Sequence, residues 1–239
     1  YLRLTNCGMN AFYAAIKAVR KLQAPRGRNV YLQLGWLYLD TQRVLEKLLG
    51  PEDVVVVLWD ILDEGELRST FARYGEQIAA VVTELPTNPL VQTGNVELLA
   101  ELAAHYEAIR IFDPSIAGVA NVDVLRYCDI LVTSLTKYAA YEADVMIGAL
   151  ALNPRSAYSF ELSGALADEV ERPYPRDIRR LAFELQEMPV VVAATGAMRG
   201  LLQEHPETLF QPEDAISLVS ALRRQIERLH HGVRSDFAR

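Results

Sequence analysis

Cysteine is scarce. Cys7 and Cys128 are the only two in 239 residues, too few for a disulfide framework or a thiolate metal cluster. That fits a reducing compartment, and a cytoplasmic location is expected. Of four histidines only His230 and His231 are neighbours; they read as part of a solvated tail, so no metal site is expected. Basic excess is missing too: the net charge is −7 and the isoelectric point about 5.2, so nothing suggests a nucleic-acid partner, which would need a basic face. No apolar run approaches the roughly 20 residues of a membrane span, and Val54 to Trp59 is typical of the longest. There is no repeat, low-complexity tract, signal-like start or lipidation motif. What remains is an ordinary globular composition, 51% hydrophobic and 23% charged, in a chain long enough for one domain or two.

Periodicity supplies the architecture. "MNAFYAAIKAVRKLQ" (9–23) carries apolar groups at helical spacing just after Gly8. A strand is expected over 29–34, a short helix over 40–50, and a continuous apolar strand over 54–59 of the kind buried on both faces. A weaker helix (65–75) and a strand (78–85) follow, then a helix over 95–108 with Asn95 as N-cap, and a strand over 109–112. "DILVTS" (129–134) and "DVMIGALAL" (144–152) complete the extended segments. Helices alternating with continuous apolar strands imply an α/β fold, a three-layer α/β/α sandwich around a mostly parallel sheet. Residues 155–188 read as helical with a break at 172–176. The segment 188–198 is ambiguous between strand and helix, and 211–231 is an amphipathic helix. Ligands of such sheets sit beyond the carboxyl ends of the strands, where Glu84, Asp113 and Ser134 fall.

Lys137 stands out first, in "DILVTSLTKY". A lysine amine attacks carbonyls once its ammonium form is destabilised, as a strand-end pocket can do. Ser134 and Thr136 place hydroxyls beside it that could hold a phosphate. A surface lysine in a loop is the alternative. Asp113 ends a strand, and a carboxylate buried there needs a cation; a protonated pyridine nitrogen is one, although an Asp before Pro114 can also simply open a turn. Gly8 before a helix offers free N–H groups at a positive dipole end, or a plain cap. Asn88, in "TELPTNPL", could donate to a phenolic oxygen or bond its own turn. Tyr38, beyond another strand, could stack on a planar ring or merely pack.

Taken in order, these residues match one known arrangement. "GMNAFYAAIKA", "ELPTNPLVQTGNVELLAELA", "FDPSIAGV" and "CDILVTSLTKY" resemble the Cys/Met-metabolism family of pyridoxal-phosphate (PLP) enzymes, which includes cystathionine γ-synthase, cystathionine lyases, methionine γ-lyase and homoserine-ester sulfhydrylases. The resemblance runs from about residue 5 to 153 and continues more weakly through 173–185. It implies the large domain of a fold-type I PLP enzyme with pyridoxal 5'-phosphate as cofactor. Lys137 would hold the cofactor covalently and shuttle protons, and Asp113 would pair with the ring nitrogen. The amides of Gly8 and Met9 and the hydroxyls of Ser134 and Thr136 would bind phosphate. Tyr38 would stack on the ring and assist proton transfer, and Asn88 would lie near the phenolic oxygen.

The implied activity is a lyase or transferase acting on sulfur amino acids or activated homoserine, by β/γ-elimination or γ-replacement, in trans-sulfuration or methionine biosynthesis. Another PLP chemistry such as transamination, and a non-catalytic scaffold, are the alternatives. The partners expected are an amino-acid substrate and copies of the same chain, as a homodimer or homotetramer, with no nucleic acid and no membrane. Departures from the family pattern are Pro114-Ser115 after the aspartate, where Asn-Thr is usual, and "AAYEADVMIG" after Lys137-Tyr138. Residues 1–205 are expected to form the PLP-binding domain and 206–239 a helical segment. The family's N-terminal arm and small C-terminal domain are expected to be missing, as from a fragment.

Overall fold

The computed structural model describes residues 2–138 and 146–171. The expected helices and ambiguous segment beyond 171, and the boundary at 205, lie outside the described residues. The elements are β1 (Leu2–Thr5), α1 (Gly8–Gln23), β2 (Val30–Leu34), α2 (Leu39–Leu48), β3 (Val54–Leu58), α3 (Glu64–Tyr74) and β4 (Ile78–Glu84). They continue with α4 (Val96–His105), β5 (Ile109–Asp113), β6 (Ile130–Ser134), a single turn α5 (Leu135–Tyr138), β7 (Gly148–Leu152) and α6 (Ser159–Leu166).

The strands form one seven-stranded sheet in the order β1-β7-β6-β5-β4-β2-β3. From β3 to β6 every pairing is parallel, while β7 runs antiparallel to both β6 and β1. Alternation along the inner strands divides the core in two. Leu32, Val81, Phe112 and Leu131 face α3 and α4 through Leu67, Phe71, Leu98 and Leu99. Tyr31, Val82, Ile111 and Val132 face α1, α2 and α6 through Phe12, Ile16, Leu45 and Leu162. Helix, sheet and helix thus form three layers, as the alternating pattern predicts. Small residues let α1 lie close on the sheet: Ala11, Ala14, Ala15 and Ala18 are all buried along one face.

One local reading needs correction, and one strand was not expected. The valines 54–57 were expected to be buried on both faces, yet β3 is an edge strand and Val54 is 46% exposed. Its composition reflects a β-branched preference for extended backbone, which does not fix position in the sheet. And β1 had no sequence signal: four residues paired to a single neighbour are too short for period-2 alternation to register.

The connections place the cavity. From β2 the chain goes outward to β3 through α2, then returns through α3 to β4 on the other side of β2. Leu45 of α2 packs on one face of the sheet, and Leu67 of α3 on the other. The helices therefore part at the β2/β4 boundary, leaving a crevice beyond the strand ends, where ligands of open α/β sheets bind. Asn95 caps α4 by accepting from Leu98 N–H at 3.0 Å. At the opposite strand ends Asp129 takes a two-pronged ion pair from Arg110, at 2.8 and 2.9 Å, and the hydroxyl of Ser156 at 2.6 Å.

Candidate active site

A cavity of about 390 Å³ opens at that crevice, and all eight residues singled out from the sequence line it: Gly8, Met9, Tyr38, Asn88, Asp113, Ser134, Thr136 and Lys137. Five pieces of chain deliver them: the start of α1, the β2–α2 corner, the β4–α4 loop, the end of β5, and β6 with α5.

On one wall, α1 begins at Gly8. The first backbone N–H to return into the helix is that of Ala11, to Cys7 C=O. The N–H groups of Gly8, Met9 and Asn10 are therefore the orphan donors of a 16-residue helix, at its positive end. Gly8 is required by proximity. A Cβ there would come within 2.8 Å of Ser134 Cβ and 3.0 Å of its Cα, so only a bare backbone lets the helix start and β6 enclose a common cradle. Gly8→Ala is expected to cost about 1–3 kcal/mol of stability through overpacking, as denaturant unfolding would measure. The Thr136 hydroxyl is already engaged, donating to Ile147 C=O at 3.3 Å and accepting from its N–H at 3.0 Å. It keeps one lone pair and ties α5 to the lead-in of β7.

Asp113 ends β5, half-buried, on the far wall. Burial pushes its carboxyl up to about 6, against the opposing effects of the Ser115 hydroxyl, the Ser115 N–H and the charge of Lys137. Ser115 was not among the expected site residues, yet its Oγ donates to Asp113 Oδ1 at 2.5 Å and accepts from Ser134 N–H at 2.7 Å. One hydroxyl thus joins the acid of β5 to the end of β6. The sequence signal for it is an Asp-x-Ser turn, in which Ser115 N–H also donates to Asp113 Oδ1. Lys137 lies in the same cavity, close enough for its charge to act on Asp113, but it is exposed.

Tyr38 is the N-cap of α2, half exposed, and its N–H donates to the carboxyl of Glu84. The corner before it depends on Gly35, which has φ +67° and whose Cβ would lie 2.6 Å from Ile61 Cγ2. Asn88 is exposed on the β4–α4 loop. Buried Thr87 ties that loop together: its N–H donates to Gln92 C=O, and its carbonyl and hydroxyl accept from Val91 and Gln92. Glu84 itself is 7% exposed, and burial pushes it up to about 7.

These features fit a pyridine cofactor with a phosphate and an aldehyde. A cradle with free N–H groups and a hydroxyl faces a half-buried acid in need of a cation, with an amine on the same cavity. Comparison with known proteins decides the family: the model of the Cys/Met metabolism PLP-dependent enzymes matches residues 2–167. The chain belongs to that family. It is 38% identical over 232 residues to the L-2-amino-4-chloropent-4-enoate dechlorinase/desaturase of Streptantibioticus cattleyicolor, covering 95% of this chain and 46% of that protein. It is 32% identical over 216 residues to the cystathionine gamma-synthase of Neurospora crassa, covering 87% of this chain and 35% of that protein. The fold matches the cystathionine gamma synthase of Xanthomonas oryzae pv. oryzae with a TM-score of 0.57 at 17% identity, over 96% of this chain and 47% of the other. The chain spans less than half the length of these relatives. Among its described residues, no helix is long and apolar enough to cross a membrane.

Proposed function

We propose that this cavity holds pyridoxal 5'-phosphate and that the protein eliminates or replaces a β- or γ-substituent of an amino acid, in the manner of cystathionine γ-synthase. The support for this reading is convergence: residues from five separate pieces of chain, each chemically suited to a different part of the cofactor, line one cavity. When bound, the cofactor supplies an electron sink that acidifies the substrate's Cα–H. The chain's own groups do the rest. The N–H groups of Gly8 and Met9 and the hydroxyl of Ser134 receive the phosphate, and the Thr136 hydroxyl joins them once its proton turns away from Ile147 C=O. Asp113, as a carboxylate, keeps the ring nitrogen protonated, and Ser115 holds that carboxylate in place. Tyr38 covers the ring face and assists proton transfer, and Asn88 donates to the phenolic oxygen. Lys137 holds the cofactor through its amine, then takes the Cα proton and returns it further along the substrate. In the whole protein, pairing of chains as a dimer or tetramer is part of this reading. Apolar side chains left exposed on the connections after β2, β3 and β4, among them Trp36, Trp59, Leu62 and Val91, support it.

A second reading keeps the site and changes the leaving group to a halide. The 38% identity with the dechlorinase/desaturase favours it. Cystathionine, an acylated homoserine and a γ-chlorinated amino acid, each assayed for keto acid and released leaving group, separate the two. Pyruvate or 2-oxobutyrate from the sulfur or acyl substrates supports the first reading. Chloride release with no turnover of the others supports the second. No turnover of any of them by the PLP-loaded protein contradicts both.

A further inference from the structure

The proposed chemistry leaves one acid of the cavity without a task. Glu84 ends β4 directly beside Asp113 in the parallel register. Its carboxyl is buried, and among the described residues it has no ion-pair partner. Tyr38 N–H donates to it across the crevice, and the Asn88 N–H favours its charged form. Such an acid works against the fold. Because folding raises its pKa from the ordinary carboxylate range to about 7, its ionisation subtracts stability as pH climbs through that window. Its geometry is therefore more telling than its energetics: it bridges the two loops that carry Tyr38 and Asn88.

We propose that Glu84 is a positioning residue, which fastens the Tyr38 corner to the end of β4 through Tyr38 N–H, and that a cation paired with neighbouring Asp113 tightens this hold. The inference rests on the reading of Tyr38 and Asp113 as cofactor residues. A carboxylate accepts an N–H bond more strongly than a neutral acid. The groups that act on Glu84 are the Tyr38 and Asn88 N–H groups and Asp113 on β5, and Lys137 lines the same cavity. Burial is the main reason that Glu84 keeps its proton near neutrality, and the like charge of Asp113 adds to it. A cation at Asp113 offsets that like charge, so Glu84 ionises more readily and grips Tyr38. By reciprocity, the ionised Glu84 favours the cation. The ring's arrival thus firms the wall that covers it.

The two tryptophans of the chain report this corner. Trp36 lies two residues before Tyr38 and packs on Trp59 with ring centroids 5.1 Å apart. Tryptophan emission of the cofactor-free protein is expected to change with a midpoint near pH 7. In Glu84→Gln, which keeps an acceptor but cannot ionise, the change disappears; in Asp113→Asn its midpoint moves to lower pH. Glu84→Gln is also expected to be at least as stable as the wild type at pH 8, while its PLP affinity there falls about tenfold. A pH transition that persists in Glu84→Gln, or is absent from the wild type, overturns the proposal. An unmoved midpoint in Asp113→Asn overturns the coupling to the cation. The fluorescence titration needs no cofactor, so it can succeed even if the proposed function fails.

Discussion

Lys137→Ala is expected to lower turnover by at least about 10²–10⁴-fold, with loss of the lysine-dependent absorbance band at the edge of the visible range. The amine has two tasks in the proposed chemistry, attachment and proton transfer, and alanine performs neither. The fold has little stake in it. Lys137 is exposed on a single helical turn, and substitutions at such positions usually shift stability by no more than about 0.5 kcal/mol. Function and stability therefore separate at this residue. Parallel measurement of the band, keto-acid release and thermal unfolding checks the separation. A variant that keeps the band contradicts the role given to Lys137, and one that unfolds contradicts the separation.

Asp113→Asn is the second large effect. A charge-assisted hydrogen bond to a cation is worth roughly 1.5–3 kcal/mol, so PLP affinity is expected to fall about 10–100-fold. Turnover should fall further, because an amide cannot hold the ring nitrogen's proton. The pH dependence carries a sign. Burial raises this carboxyl to about 6, so a cation binds the charged form freely above that pH and must displace a proton below it. Wild-type affinity should weaken as pH drops through about 6, and the Asn variant should lack this dependence. Stability moves the other way. The native state holds the proton more tightly than the unfolded chain, so ionisation of Asp113 destabilises the cofactor-free fold as pH rises toward 6. Removing the acid is therefore expected to stabilise the empty protein at pH 8 by up to about 3 kcal/mol, less whatever the Ser115 bonds contributed. Equilibrium unfolding across pH, without cofactor, measures it.

Much of this architecture can be read from the chain because the signals are local. The apolar runs at 78–84 and 130–134 are long enough to mark interior strands, and Asn95 caps its helix where an Asn before a periodic run should. The strand ends then locate the cavity before any side chain is placed. Position within the sheet is different, because it depends on partners far away in sequence. Val54 to Val57 look like an interior strand and form an edge, and β1 is invisible without β7 beside it. The same limit applies in the cavity. Asp113 and Lys137 carry chemistry in their types, so they stand out alone. Glu84 and Ser115 acquire meaning only through what they touch, the Tyr38 amide in one case and both Asp113 and the Ser134 amide in the other. Exposure of Lys137 is one of the two readings its position allows, and the loops around a strand's end decide between them.

The central claim is that the amine of Lys137 bonds the cofactor's aldehyde carbon. Loading the protein with pyridoxal 5'-phosphate, reducing with borohydride and mapping the modified peptides by mass spectrometry tests it most directly. A single pyridoxyl-phosphate adduct on the peptide containing Lys137, absent from Lys137→Ala, is the result predicted. An adduct scattered over other lysines, or none above background, would contradict the account.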